Sequence, residues 1–226
     1  MARRQAASDR TRVRRLPEKG VYDRGAIDAI LDAGLVSHLG YVHDGQPVVT
    51  PTLHARVGDV VYVHGSSAAR SLRLLGKGLP CCLTVTLLDG IVLARSVFEH
   101  SVNYRSVMVF GEATLVGDPA EKLGALEEFT EKVLPGRWRD ARLPTATELK
   151  ATAILSLPLD EASGKVAAGG PDDDDSEDAL LPIWAGVVPL AISAGRPVPA
   201  AGLHEGIPVP PYAADYRRPG LTWPPE

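Results

Sequence analysis

The stretch Ser101-Val102-Asn103-Tyr104-Arg105-Ser106-Val107-Met108-Val109-Phe110-Gly111 joins a polar cluster to an apolar run. Val107, Met108, Val109 and Phe110 have the β-branched and aromatic composition of a buried strand. Asn103, Tyr104, Arg105 and Ser106 set an amide, a phenol, a guanidinium and a hydroxyl at that strand's entrance. Groups of this chemistry can meet a planar polar ligand or its phosphate. The plainer alternative is a polar turn leading into a core strand.

Downstream, residues 106–116 make a strand long enough to cross a barrel. Asp118-Pro119 then opens a helix, with Asp as cap and Pro at the first helical position, and Leu123, Leu126, Phe129 and Val133 form its buried stripe. Pro135-Gly136 breaks the chain. Residues 147–150 are a helical turn before a strand over 153–157. Residues 163–178, Gly- and Pro-rich and ending in the acidic block of Asp172 to Asp175, Glu177 and Asp178, are expected as a solvated loop. A last strand over 181–190 contains Trp184 and carries Pro near its ends.

Upstream, Asp23 caps a helix over 23–33 with Ala26, Ile27, Ile30 and Leu31 on one face and Gly34 at its end. Residues 35–42 form a strand, Asp44-Gly45 a hairpin turn, and residues 47–57 the returning strand. Alternation along that strand puts Val49, Pro51, Leu53, Ala55 and Val57 on a core face, and Thr50, Thr52, His54 and Arg56 on a face suited to a polar site or interface. Residues 60–64 follow as a strand in an antiparallel meander. Ser66 or Ser67 is expected to cap the next helix, which ends near Gly76, and Arg70 beside those hydroxyls suits an anion. The stretch lacks the spacing of a nucleotide P-loop. Residues 81–88 and 91–94 are expected as two strands joined at Asp89-Gly90.

The 226 residues, 45% of them hydrophobic, suffice for one domain that buries roughly 70% of its unfolded surface. A net charge of −4, from 24 basic and 28 acidic side chains, gives no global bias towards nucleic acid or an anionic membrane. Arg3, Arg4, Arg10, Arg12, Arg14 and Arg15 make the N-terminus basic, and residues 1–20 are expected as a mobile arm. There is no apolar signal region and no run of ~18 apolar residues, so a cytoplasmic location is expected. Adjacent Cys81 and Cys82 suit neither a disulfide nor a zinc site and are expected as small core residues. His38, His43, His54, His64 and His100 fit no zinc or facial-triad spacing, and no metal site is expected.

This order of elements resembles the pyridoxamine 5'-phosphate oxidase-like flavin proteins, and most of all their subgroup resembling nitroimidazole reductases. The likeness spans roughly residues 18–212. It rests on Val63-His64-Gly65-Ser66 with Arg70, on residues 103–111, and on Trp184-Ala185-Gly186-Val187-Val188-Pro189. The resemblance implies a β-barrel with helices (mainly β, α+β): a predominantly antiparallel FMN-binding split barrel, homodimeric, with FMN in clefts between subunits. The barrel would span residues 21–192, after the arm at 1–20 and before an extended Pro-rich tail at 193–226.

By the same resemblance, Thr50, Pro51 and Thr52 lie near the isoalloxazine, and His64, Gly65, Ser66, Arg70 and Ser71 cradle the phosphate. Asn103, Tyr104, Arg105 and Ser106 complete the site, some of them reaching the partner's flavin, with Lys165 and Trp184 added from the C-terminal third. Arg70 stands where nitroimidazole reductases carry a His. Thr50-Pro51-Thr52-Leu53-His54 replaces the Arg/Lys-rich flavin strand of the phosphate oxidase. No catalytic side chain is assigned, since the flavin carries the chemistry. The expected function is an FMN-dependent oxidoreductase acting on a small organic substrate with a nicotinamide donor. The alternatives are a non-catalytic flavin sensor or storage module, a deazaflavin-dependent reductase, and a haem-binding split barrel.

Overall fold

A computed structural model describes residues 5–173 and 175–217; Arg3, Arg4, Asp174 and residues 218–226, all included in the expectations above, lie outside the described residues. In chain order the elements are β1 (Gly20–Val21), α1 (Arg24–Ala33), β2 (Val36–His43), β3 (Gln46–Val57), β4 (Val60–Ser66), α2 (Arg70–Leu75), β5 (Lys77–Leu93), β6 (Ser101–Leu115), α3 (Pro119–Val133), α4 (Arg137–Asp140), α5 (Ala146–Ala151), β7 (Thr152–Pro158), β8 (Ala162–Ala167), β9 (Gly186–Pro189) and α6 (Pro211–Ala214).

The strands run in the order β1-β8-β6-β7-β4-β3-β2-β5-β9, and β5 also pairs with β6, so β6, β7, β4, β3, β2 and β5 close into a ring. Every pairing is antiparallel. One edge of β6 is divided. Its residues Tyr104 to Val109 pair with β8, and only Thr114 and Leu115 pair with β7. This division splits the barrel wall and gives the expected split-barrel architecture.

Inside the ring, Leu39, Tyr41, Val61, Val63, Leu83, Val85, Val107, Val109, Leu155 and Leu157 form the main core. The helix α1 plugs it with Ile27, Ile30 and Leu31, each at most 3% exposed. Burial of such side chains stabilises by about 1.5–3 kcal/mol each. Asp23 caps α1 by accepting from the Ala26 N–H. At Gly34, just past the helix, a Cβ would come within 2.3 Å of Val85, so only Gly lets α1 approach β5 this closely. The Asp44-Gly45 turn has positive φ at both residues, as a two-residue hairpin turn requires.

Several local expectations are corrected. β5 does not fold back at Asp89-Gly90: it continues for 17 residues, with a register irregularity between Leu88 and Gly90. The cause is Asp89, which is buried and accepts two hydrogen bonds from Arg105, Nε–Oδ2 at 2.9 Å and Nη2–Oδ1 at 2.7 Å. A carboxylate held by a guanidinium inside the sheet does the reverse of a solvated turn residue.

Residues 163–167, expected within a loop, belong to β8 (Ala162–Ala167) instead, because the divided edge of β6 needs a partner there. In the acidic block, Asp173 is fully buried and paired with Arg95 at 2.9 Å. The faces of β3 are also reversed. Val49, Leu53 and Val57 are exposed, whereas His54 is 1% exposed, with Nε2 2.8 Å from the Leu31 carbonyl. Ala69 rather than Ser66 or Ser67 occupies the cap position of α2.

Residues 5–20, expected to be mobile, lie against the barrel. Thr11 is buried, Arg10 forms an ion pair with Glu161, and the Arg10 guanidinium sits 5.5 Å from the Phe110 ring centroid. β1 then extends the sheet beside β8. The last strand is confined to Gly186–Pro189 and pairs with the end of β5. Among the described residues no helix is long and apolar enough to cross a membrane.

Two outcomes follow from this packing. Asp89→Ala removes both bonds that Asp89 accepts from Arg105, whose side chain is 11% exposed, and it should lower unfolding free energy in urea by about 3–5 kcal/mol. The double variant Asp89→Leu with Arg105→Met should recover most of that loss; a single variant as stable as the parent would mean the pair carries no structural weight. Burial pushes the Cys81 thiol up to about 11 and raises Cys82 as well. Neither thiol should therefore react with a thiol-specific chromogenic disulfide in native protein near pH 8, while both should in denaturant.

Candidate functional site

Strand β4 separates two apolar regions. Val61 and Val63 point into the barrel, while Tyr62 and His64 point to the opposite side, where α3 lies across β3, β4 and β7. There Ala125 and Phe129 of α3 pack with Ala55, Tyr62, Val116 and Ile154. The Tyr62 hydroxyl donates to Glu121 at 2.9 Å, fixing the start of α3. Burial, helped by that carboxylate, pushes the Tyr62 pKa up to about 12.

Two residues farther along the same face, His64 tilts against Phe129, with ring centroids 4.3 Å apart at 58°. Its Nδ1 is buried with no hydrogen-bond partner among the described residues. Burial also lowers the His64 pKa, so the imidazole is neutral at pH 7. A buried imidazole nitrogen without a partner is uncommon and calls for an explanation.

His64 faces a cavity of about 560 Å³. Leu126, Phe129 and Val133 of α3 make one wall, Leu53 of β3 another, and Trp138 with Arg142 the far side. That far side is held in place by specific bonds. The Glu131 carboxylate accepts from the Gly136 N–H at 2.6 Å and the Trp138 N–H at 2.9 Å, which turns the chain after α3. Gly136 adopts φ +90°, which favours glycine, and the Tyr212 ring from the C-terminal segment lies against it.

Arg142 grips Glu148 through two bonds, and Thr145 with Glu148 forms a capping box at the start of α5. Arg142, first, and the Thr145 donors hold the Glu148 pKa down to about 2. Thus a mostly apolar chamber has one neutral histidine inside and guanidinium groups at its wall. Of this arrangement the sequence offered only His64 as a site residue, with Leu53, Leu126, Phe129 and Val133 expected only as core; α4 is a single turn with no periodic signal, and the Glu131 bonds need the tertiary turn.

The other sequence-derived candidates fall into separate groups. Thr50 and Thr52 pair in register with Leu39 and Ser37, while Pro51 sits opposite His38 on the other face. Register carries that outer face from Pro51 through His38 and Thr84 to Met108; one step along, Thr86, Ser106 and Lys165 align. Gly65 and Ser66 end β4, and Arg70 and Ser71 begin α2. Ser66 Oγ accepts from the Ala68 N–H.

In the 103–106 cluster three members are engaged within their own chain. Asn103 Nδ2 donates to the Gly169 carbonyl, Arg105 binds Asp89, and Ser106 Oγ donates to the Lys165 carbonyl. Ser66 pairs with Thr152 of β7, and β6 meets β7 only at Thr114 and Leu115. Residues 104–106 pair with β8 instead, so they lie on a different stretch of β6 from the one that meets β7. Trp184 is exposed, ahead of β9 and packed on Gly186.

A family profile described as pyridoxamine 5'-phosphate oxidase matches residues 23–166. No curated protein sequence matches the chain. Among solved structures, the flavocytochrome from Azotobacter vinelandii is 43% identical, with a TM-score of 0.89 over 95% of this chain and 99% of that one. The FAD and haem binding protein from Mycobacterium smegmatis is 40% identical, with a TM-score of 0.82 over 86% of this chain and 95% of that one. A candidate 5-nitroimidazole antibiotic resistance protein from Bacteroides thetaiotaomicron, 22% identical at a TM-score of 0.55, covers 65% of this chain and 86% of its own, and shares the fold. The divided barrel, the match over most of its strands and the two relatives at 40% identity or more agree: the chain belongs to the pyridoxamine 5'-phosphate oxidase family.

Proposed function

We propose that this protein is a flavin-dependent oxidoreductase that also holds a haem, the haem lying in the chamber between β4 and α3. The observation that carries the haem reading is His64: a neutral imidazole that lines a mostly apolar cavity. Neutral imidazole is the commonest metal ligand, and a cavity of about 560 Å³ lies within the usual range of cofactor sites. The fit extends to the wall. His64 would ligate the iron, Phe129, Leu126 and Val133 would exclude water, and Arg137 would face carboxylate groups at the rim. The two relatives at 40% identity or more, one a flavocytochrome and one a FAD and haem binding protein, support the same reading.

For the flavin, Arg70 is exposed and makes no ion pair with a described residue, so it is available to a phosphate beside Ser66 and Ser71. Pro51 on the outer face of the sheet would lie near the ring. Tyr104 and Ser106 of β6 with Lys165 of β8, on the stretch of sheet away from β7, would reach the flavin of a second subunit. A bound flavin would supply two-electron chemistry with a nicotinamide-type donor and a bound haem one-electron chemistry; the chain's part is to bind, orient and shield both groups. FMN is the smaller of the two flavins this arrangement admits, and FAD is the one named for the Mycobacterium relative.

The second subunit is proposed from the surface. Val36, Val42, Val49, Leu53 and Met108 are 48, 57, 64, 36 and 42% exposed on adjoining strands, an apolar face that monomers rarely leave uncovered. A homodimer interface of more than ~2,000 Å² would cover it.

The protein as purified should show both a Soret band and flavin absorbance. His64→Ala should lose the Soret band and keep the flavin; a haem spectrum unaltered by that substitution would place the iron ligand elsewhere. Light scattering should give twice 24.0 kDa for the parent. Val42→Asp with Val49→Asp should shift it towards monomer and lower flavin content together. A dimer that survives this double change rejects the sheet face as the interface.

A further inference from the structure

A second cavity lies where α2, the start of β5, the end of β6 and the α5–β7 junction meet. It is about 310 Å³ and is lined by Arg73, Lys77, Lys122 and Lys150 with no Asp or Glu among its lining residues. The chain as a whole is acidic, at −4, so this concentration of positive charge is a local arrangement rather than a reflection of composition.

Each cation is delivered by a different element. Arg73 lies in the last turn of α2 and Lys150 in the last turn of α5. Lys77 opens β5 opposite Thr114, ahead of a register shift and of Gly78 at φ +84°, a bulge that re-aims the strand end. Lys122 reaches in from α3, its Nζ donating to the carbonyls of Leu149 and Thr152 at 2.6 Å each. Those carbonyls position the ammonium without cancelling its charge, and one of its three donors remains.

Arg73, Lys77 and Lys150 form no ion pair with a described residue. Like charges gathered without a counter-charge work against the compact state, and an anion of matching charge reverses that cost. The remaining lining has two kinds of chemistry. Leu72, Leu115, Val116 and Ala153 give an apolar floor, and Ser67 and Thr152 give hydroxyls beside it.

We infer that this cavity binds a nucleoside diphosphate group, with the diphosphate on the cations, the ribose by the hydroxyls and the base against the apolar floor. Several cations around one opening suit a group with more than one negative charge, and the guanidinium of Arg73 suits phosphate oxygens in particular. The cavity is separate from the His64 chamber; of their lining residues none is shared. The pocket stands on its own residues and the inference does not depend on the haem reading; only its FAD source rests on the flavin reading. Two sources offer this group: a free nucleotide, or the ADP half of a bound FAD.

The test is calorimetric titration of ADP into the full chain, both as purified and after removal of flavin. ADP should bind to at least one form, weaken as salt rises, and weaken at least tenfold in Arg73→Glu with Lys77→Glu. Both residues are exposed, so the variant should keep the parent's thermal unfolding curve, and Lys150→Glu provides an independent second variant. Binding to both forms assigns the pocket to a free nucleotide, and binding only after flavin removal assigns it to the ADP half of FAD; either upholds the inference. No binding to either form up to about 1 mM, or binding unchanged in both variants, overturns it. Inorganic pyrophosphate binding as tightly as ADP overturns the nucleoside part. The Soret and flavin bands, recorded on the same samples, report the proposed function separately.

Discussion

The pairing of β5 with β6 is the constraint on which the rest of the molecule depends. These are the two longest strands, 17 and 15 residues, paired over most of their length. Alternation sends Leu83 and Val85, with Val107 and Val109, into the interior at 0% exposure. Because the side-chain period is two, that burial sets register throughout: slipping one residue would turn this core outward. Register in turn places Lys77 beside Thr114 at one end of the pair and Arg105 beside Asp89 at the other.

Functional geometry arises where elements leave this scaffold. β4 keeps one face in the barrel and gives the other to α3, so His64 shares a strand with core residues yet opens into a chamber outside the barrel. The basic cavity arises at a junction too, where β6 passes from β8 to β7 and the ends of α2 and α5 converge. The buried Asp89–Arg105 and Asp173–Arg95 pairs hold long segments whose sequences look like solvated turns. Such pairs add little net stability over apolar replacements, but leaving one partner alone is expensive, so they lock the strand and loop into one arrangement.

Local sequence determined much of this. Caps at Asp23 and Asp118, the Asp44-Gly45 turn and the apolar periodicity of α1 depend on neighbours within a few residues, and they appear where the sequence puts them; of the stripe expected on α3 only Phe129 is buried, joined by Ala125, while Leu123 and Leu126 are half-buried and Val133 is exposed. The polar cluster at 103–106 and the Val63-His64-Gly65-Ser66 stretch were also legible, enough to suggest the family and a flavin. Tertiary structure decided what those residues touch. Asp89 reads as a turn residue until Arg105 is brought to it across a strand pair, and residues 163–167 read as loop until the divided edge of β6 offers them hydrogen bonds. The two faces of β3 were reversed for the same reason: alternation gives two faces but not which one faces inward, and that depends on α1 filling the barrel beside His54. The His64 chamber and the four-cation cavity were invisible in the sequence because their walls come from distant segments that only closure of the barrel brings together.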